Sequence, residues 1–595
     1  MNSRKIVPFM FLLVTILLTT ANLALGKEVI SNSADWRDVY SVILYGNLGG
    51  GTPRFLTGTP HGPILLYELP KNADGIEIYT SAEKPYYIGY EALMRSKGFE
   101  NIEEVILDSA NLELARRLPN INNFIIIDDV YGYNALAAAP YAAKANYYVL
   151  FANRRNIDDI QTFLSTKNVG KIIIYGQTDR EVRNGLAQYN PEILNSETGS
   201  RFENNMMIVD KYAEIGNIKQ AILTNGEFIE TSMMTGNEPV LFIGKNNVPP
   251  EIKSYIQKKG VEIGVLIGNE LIGTATDIRR DVGISVFVKF ARGSRIPGGT
   301  INPVEDLDRF PMPRYQLSLS IVSISYNRAT GQLEVTYRNN VDLASYFRTT
   351  ITVKDSNGET LVVDGDEDVI FIDGGETKTV VYSKIGSVEA QKLTSDLSAE
   401  IYTIYGESKT SLENVIRGTF PIEMIDIADD AEIEIRDLAY DKNRGRFIIT
   451  IENTGEADAY VNVELVELWV NEEYVTVSSD STTKIQVGKS AEIPVSIRLE
   501  QEDLESSRNA EITVRAIYGE RMHALIKVKT KKFNLRILTL AIQEYAMIGG
   551  AIALLVLLLL LFFKRKKKRR CPRCRESNDK DAHTCRKCGH NLRHH

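Results

Sequence analysis

Residues 124–151 read FIIIDDVYGYNALAAAPYAAKANYYVLF, and this stretch decides the fold of the first half of the chain. It begins and ends with short apolar runs, at 124–127 and 148–151, which have the length of buried strands. An alanine-rich segment separates them, with Ala135, Ala138 and Ala139 at helical spacing. A strand, a helix and a further strand in succession predict a parallel α/β arrangement.

The same pattern recurs along the chain. The strand at 148–151 and the later run at 169–176 match 239–242 and 261–268, at offsets of 91 and 92 residues. The run Pro63-Ile-Leu-Leu66 is interpreted as the strand of a third, more divergent copy. Repetition of this kind predicts an α/β repeat head at 27–310.

The residues of the middle copy carry a family resemblance. Phe124-Ile-Ile-Ile-Asp128, the helix start Asn134-Ala-Leu-Ala-Ala-Ala-Pro140 and the Tyr-Val-Leu-Phe strand resemble the cell wall binding repeat type 2 family, with Asn134 where that family usually has Asp. The resemblance implies a non-catalytic module, built from units in threes, that holds proteins on anionic polymers of prokaryotic envelopes. It makes an envelope polymer or surface layer the expected partner.

Two β-domains are expected after the head. Residues 311–532 alternate apolar and polar residues in the manner of half-buried strands. The segment Tyr326–Asn339 is matched by Tyr440–Asn453 at an offset of 114, which predicts tandem domains at 311–425 and 426–532. They resemble immunoglobulin-like or CARDB-like sandwiches. A stalk is favoured over a binding module, because fold alone does not imply function.

Two apolar runs predict the topology. Residues 1–26 have the basic start, apolar centre and small-residue end of a signal peptide. Residues 545–563 carry no charge and have the length of a membrane span, and seven cations at 564–570 read as a stop-transfer signal. The expectation is a single-pass type I protein of the cell membrane, in contact with the lipid bilayer, with 27–544 extracytoplasmic and 564–595 cytoplasmic.

All four cysteines lie near the C-terminus, as two C-x-x-C pairs: Cys571, Cys574, Cys585 and Cys588. Four thiolates are a complete ligand set for structural Zn²⁺, and so short a segment needs a metal to fold. The pattern resembles the short zinc-ribbon family, and it predicts a zinc ribbon at 571–592. A cytoplasmic protein is a further candidate partner at the ribbon.

The fold class is therefore multidomain: an α/β repeat head, two all-β sandwiches, one transmembrane helix and a small zinc ribbon. Between 27 and 563 the chain has 74 acidic and 54 basic residues, which argues against nucleic acid as a partner.

No catalytic or cofactor-binding signature is found. Residues 27–544 contain two histidines, His61 and His523, and no G-x-S-x-G motif. The predicted function is envelope-polymer binding or adhesion. The alternatives are a surface hydrolase that uses carboxylates such as Asp128 and Asp129 at strand ends, and a transmembrane scaffold or sensor.

Overall fold

The first half of the chain forms three α/β units, each built on a four-stranded parallel sheet. The computed structural model describes residues 26–71, 73–293, 306–314, 316–393, 396–538, 554–556 and 568–593. In every unit the strand order is second, first, third, fourth. The shared order agrees with the repeat in the sequence, because equivalent segments take equivalent places in the sheet.

The elements of the head follow in chain order. The first unit contains β1 (Glu28–Asn32), α1 (Trp36–Leu48), β2 (Thr52–Phe55), α2 (His61–Leu65), β3 (Ile76–Ser81), α3 (Tyr90–Ser96), β4 (Ile102–Leu107) and α4 (Ala110–Arg116). The second unit contains β5 (Asn123–Ile127), α5 (Tyr133–Ala145), β6 (Tyr147–Phe151), α6 (Ile157–Ser165), β7 (Ile172–Tyr175), α7 (Arg180–Leu186), β8 (Glu192–Leu194) and α8 (Arg201–Ala213). The third unit contains β9 (Gln220–Thr224), β10 (Phe228–Ile229), β11 (Val240–Phe242), α9 (Pro250–Lys259), β12 (Ile263–Ile267), α10 (Ile272–Asp281) and β13 (Ser285–Lys289).

The three units share one hydrophobic core. Ala135, Ala138, Ala139 and Ala142 of α5 are fully buried, and this helix contacts α8, so the small-residue face allows close helix packing. After the third unit, β14 (Phe310–Pro311) pairs antiparallel with β10 of that unit. The ring of Phe310 also reaches the first unit, where it packs edge-on against Phe55 with centroids 6.1 Å apart.

The prediction of a strand at 63–66 is wrong. Residues Pro63, Ile64 and Leu65 lie in the helix α2, and the second strand of the first unit is β2. A short apolar run is compatible with either a buried strand or a buried helix turn, so periodicity alone does not separate them.

Two β-sandwiches follow, with matching topologies. In the first, one sheet has the order β20-β16-β15-β23 and the other β18-β17-β21-β22, with β19 paired to β17. In the second, the orders are β29-β25-β24-β32 and β27-β26-β30-β31, with β28 paired to β26. The bulge between Ile321 and Ser323 recurs between Ile435 and Asp437, so the internal repeat extends to local irregularities.

The strand bounds complete the description of these domains. The first sandwich contains β15 (Leu319–Asn327), β16 (Gln332–Asn339), β17 (Ser345–Lys354), β18 (Thr360–Gly365), β19 (Ile370–Ile372), β20 (Thr377–Tyr382), β21 (Ser398–Gly406), β22 (Asn414–Pro421) and β23 (Glu423–Ile425). The second contains β24 (Ile433–Asp441), β25 (Arg446–Asn453), β26 (Ala459–Val470), β27 (Glu473–Ser478), β28 (Thr483–Ile485), β29 (Ser490–Ser496), α11 (Gln501–Glu505), β30 (Glu511–Gly519), β31 (Lys527–Asn534) and β32 (Ile537–Leu538).

The sandwiches lie against the head and do not extend from it as a stalk. Arg180 of the second α/β unit forms ion pairs of 2.7 and 3.0 Å with Glu502 and Asp503 of the second sandwich. Arg201 of the same unit pairs with Glu413 of the first sandwich at 3.2 Å. The stalk expectation is corrected, since ion pairs of this kind require both sandwiches to contact the head.

The membrane prediction is also corrected. Among the residues that the structure describes, no helix is both long enough and apolar enough to cross a membrane. The predicted transmembrane helix at 545–563 lies outside the described residues except for 554–556, and the signal segment 1–26 except for Gly26. The predicted single-pass type I placement, with 27–544 outside and 564–595 inside, depends on that helix and is corrected on the same finding.

Candidate functional site

The C-terminal segment brings the four cysteines into one cluster. Their Sγ atoms all lie within 4.8 Å of one another. Each C-x-x-C pair is a tight turn: Arg575 N–H donates to Cys571 O at 2.8 Å, and Gly589 N–H donates to Cys585 O at 2.9 Å. Both donors have a positive φ, which closes the turn over the thiols. A short antiparallel pair, β33 (Arg569–Arg570) and β34 (Ser577–Asn578), holds the first turn in place.

The spacing of the thiols fits a tetrahedral metal. Ligands at a Zn–S distance of about 2.3 Å are separated by about 3.8 Å along each edge of the tetrahedron. The Sγ atoms of Cys571 and Cys588 lie 3.7 Å apart, and those of Cys574 and Cys585 lie 3.5 Å apart. These distances are far longer than the S–S bond of about 2.05 Å in a disulfide.

The groups around the cluster act differently on its thiols. A backbone hydrogen bond at Glu576 lowers the pKa of Cys574, but desolvation and the three neighbouring thiols raise it to about 12, whereas the surroundings of Cys585 favour the thiolate. Burial alone raises the pKa of the Cys585 thiol, but backbone N–H groups of Cys588 and Lys587 and the amide of Asn578 lower it to about 6. Asn578 Nδ2 lies 3.6 Å from Cys585 Sγ. His583 is held elsewhere, since its Nδ1 accepts from Arg593 Nε at 2.8 Å. The four sulfurs therefore form a cluster that could hold a metal ion without His583.

The head has a second candidate site, a cleft of about 760 Å³ between the first and second units. The cleft lies at the carboxyl ends of β1, β3, β4 and β5. We call this place, where the first and second units meet, the first junction. Ligands of parallel α/β sheets commonly bind at this edge. The cleft is lined mainly by polar side chains, among them Asp35, Arg37, Lys84, Asp108 and Asp129.

Arg37 fixes two of these carboxylates. Its guanidinium bonds Asp35 Oδ2 at 2.6 Å and Asp129 Oδ2 at 3.0 Å. Burial raises the pKa of Asp35, but the hydrogen bonds and charge of Arg37 bring it below its usual value. Asp38 accepts from Ala110 N at 3.0 Å and from Ser33 Oγ at 2.8 Å, while burial raises its pKa.

The structure separates the pair Asp128 and Asp129. Asp129 faces the cleft, whereas Asp128 Oδ1 accepts from Val130 N at 2.7 Å in its own loop. Burial raises the pKa of Asp128 to about 6. The two neighbours therefore do not act on one bound group as a carboxylate pair.

The two histidines are not placed for catalysis. His61 is only 3% exposed, and its Nδ1 accepts from Thr57 N at 3.2 Å. Burial lowers its pKa to about 4, so the ring is neutral. His523 lies in the turn between β30 and β31. Among the described residues neither belongs to a Ser-His-Asp arrangement.

Two asparagines that sequence reasoning missed join the units. Asn111 Nδ2 donates to Val149 O at 2.9 Å, and its Oδ1 accepts from Phe151 N at 3.0 Å. Asn205 makes the same pair of bonds in the next unit, to Val240 O and from Phe242 N, at 2.9 and 2.8 Å. Each asparagine therefore pairs with backbone groups of the edge strand in the following unit, β6 or β11, on the side where that strand has no neighbouring strand. The two asparagines are 94 residues apart, close to the offsets of 91 and 92 between the copies, and this spacing is the sequence signal that could have identified them.

Comparisons with known proteins give distant structural likenesses only. No family model matches the chain, and no curated protein sequence matches it. Among solved structures, Cwp6 from Clostridium difficile is 13% identical with a TM-score of 0.34, covering 44% of this chain and 41% of that one. Cwp8 from the same organism is 15% identical with a TM-score of 0.37, covering 44% and 48%. The chain thus spans less than half the length of either protein, and TM-scores below 0.5 do not establish a common fold.

Proposed function

We propose that this chain is a non-catalytic surface protein whose three-unit head binds an envelope polymer. The observation that carries the proposal is the threefold use of one strand order, together with the equivalent asparagine contacts at two junctions. A head built from repeated units in threes is what the resemblance at 124–151 implies.

The cleft at the first junction supports binding better than turnover. Arg37 holds Asp35 and Asp129 in fixed positions, and Asp35, whose pKa is lowered, is a poor proton donor or acceptor at neutral pH. Carboxylates outnumber cations in its lining, seven to three. Such a cleft suits hydroxyl groups of a saccharide, because carboxylates accept hydrogen bonds from them and repel anions.

We further propose that the cysteine cluster binds one structural Zn²⁺. Cys571, Cys574, Cys585 and Cys588 would hold it, and four thiolates leave no position open for a substrate. The ion would supply folding energy to a segment whose buried hydrophobic cluster consists of Cys571, Cys585 and Leu592.

The test of polymer binding is retention of the full chain on envelope fractions of the source organism. We expect saturable retention that Arg37→Gln weakens, because Asp35 and Asp129 then repel each other and lose their positions. Glu367→Gln, on an exposed turn of the first sandwich, is the matched control and should bind as the unaltered chain does. Retention that never saturates, or that is indifferent to Arg37, would contradict the proposal.

A surface hydrolase remains the second candidate, because several carboxylates do converge on the cleft. Hydrolysis of a glycosidic bond by two carboxyl groups requires one of them to be protonated. Release of new reducing ends from envelope polysaccharide by the full chain, abolished in Asp129→Asn, would favour the hydrolase. Absence of release at protein concentrations that saturate retention would favour binding alone.

A further inference from the structure

The junction between the second and third units, which we call the second junction, is covered by the sandwiches. The covering loops are 407–413 of the first sandwich and 471–473 of the second. Asn195 Nδ2 donates to Glu473 Oε1 at 2.9 Å, and Asn247 Nδ2 donates to Leu412 O at 2.7 Å. Whereas the first junction is open, the chain's own acidic loops lie at the equivalent edge of the second.

At the second junction the head binds carboxylates of the first sandwich through groups that would also bind the oxygens of a ligand anion. Helix α8 begins at Arg201, and the backbone N–H of Arg201 donates to Glu407 Oε1 at 3.0 Å. Its guanidinium also contacts Glu407 Oε2, and its Nη2 donates to Glu413 Oε1 at 3.2 Å. The start of a 13-residue helix and a guanidinium together are a favourable environment for an oxyanion.

The carboxylate of Glu413 fits this place poorly. The residue is 5% exposed, and its Oε2 has no hydrogen-bond partner among the described residues. Burial raises its pKa to about 7, against the lowering effect of Arg201. A buried carboxylate oxygen without a partner is unfavourable, so the site leaves one acceptor of its present occupant unsatisfied, and this weakens the hold on Glu413.

The second covering loop is the tip of a β-hairpin. Asn471 and Glu472 are the two residues between β26 and β27, and their φ values of 52° and 71° are those of a type I′ turn. The tip lies on the head, where Glu472 forms an ion pair of 2.7 Å with Arg183. This ion pair holds the tip at the second junction.

We propose that the second junction is an oxyanion site that the chain covers with its own Glu407 and Glu413, and that a phosphate or carboxylate group of a ligand displaces them from Arg201. The cover is an autoinhibitory contact within one chain. The anion site follows from the geometry at Arg201, whereas the identification of its ligand as an envelope polymer rests on the proposed function.

The first experiment measures binding of inorganic phosphate to the full chain by isothermal titration. We expect the double variant Glu407→Gln/Glu413→Gln to bind phosphate about tenfold more tightly or better than the unaltered chain. Adding Arg201→Gln should remove that gain. The control Glu367→Gln alters an exposed carboxylate of the first sandwich outside both covering loops and should leave phosphate affinity unchanged. No gain in the double variant, or a gain that survives Arg201→Gln, would overturn the proposal.

The second experiment uses the unaltered chain and does not depend on folding of a variant. Hydrogen exchange of residues 407–413 is followed at rising phosphate and at sodium chloride of equal ionic strength. Exchange that rises with phosphate beyond the chloride effect supports displacement of the cover. Equal effects of the two salts would show screening alone and overturn it. Failure of envelope retention with a positive phosphate result would remove the proposed function and leave the anion site standing.

Discussion

Replacing Asn111 by alanine should weaken the joint between the first two units. The side chain is 7% exposed and bridges Val149 O and Phe151 N on β6, an edge strand of the second sheet. Alanine leaves both backbone groups buried without a partner, at a cost of about 1–3 kcal/mol each, so the expected loss is about 2–6 kcal/mol. Asn111 Nδ2 also donates to Ser41 Oγ at 2.9 Å, but Ser41 keeps its own bond to Arg37 O at 2.6 Å, so loss of this contact adds little.

Native-state hydrogen exchange is the suitable assay, because a chain of several domains does not unfold in a single two-state step. We expect amides of β5 and β6 to exchange faster by a factor of about 30 or more, the equivalent of about 2 kcal/mol. Asn205→Ala should act in the same way on β9 and β11. Asn184→Ala, at an exposed position of α7, is the control. Unchanged exchange in β5 and β6 of Asn111→Ala would refute the reasoning.

Three further predictions concern titration, charge and metal. Because His61 has a pKa of about 4 when folded and about 6.5 when unfolded, its contribution to stability is present above pH 6.5 and is lost as pH falls toward 4, by up to about 3 kcal/mol. Native-state hydrogen exchange of the first unit at pH 7 and pH 4.5, corrected for the pH dependence of intrinsic exchange and compared with His61→Gln, measures this contribution, and an identical pH dependence in the variant would contradict it. Lys378→Met removes the partner of the buried Glu464 across the two sandwiches, leaves Arg515 Nη1 at 3.4 Å from Glu464 Oε2, and should cost up to about 3–5 kcal/mol. The additional change Glu464→Leu should restore most of that loss in native-state hydrogen exchange of the sandwiches, and failure to restore any would count against the pair. Elemental analysis should find no bound zinc in Cys585→Ser and one zinc ion per chain in His583→Ala. One bound zinc ion per chain in Cys585→Ser would exclude the four-sulfur site.

Much of the architecture is readable from the sequence because it rests on local periodicity. The apolar runs at 124–127 and 148–151 are strands, and the alanine face of α5 is buried as its spacing predicts. The offset of 114 residues between the sandwiches appears as two copies of one topology. The close approach of the four cysteines follows from their paired spacing.

What the sequence does not show is set by contacts between distant segments. Residues 63–66 are apolar in either a strand or a helix, and their environment selects the helix. In the sequence Asn111 looks like any polar residue of a helix, and its role in joining two units becomes visible only from its contacts with β6. The docking of the sandwiches on the head depends on residues far apart in the chain, such as Arg201 and Glu413. The prediction of a membrane helix at 545–563 is a separate case: among the residues that the structure describes, no helix is long and apolar enough to cross a membrane.

The most direct test of the polymer-binding head is hydrogen exchange of the full chain with and without solubilised envelope polymer. The account predicts saturable protection at the first junction, in the loops after β4 and β5 that carry Asp108 and Asp129. Polymer that protects only the sandwiches, or that protects no part of the head at concentrations where the chain is retained on envelope fractions, would contradict it.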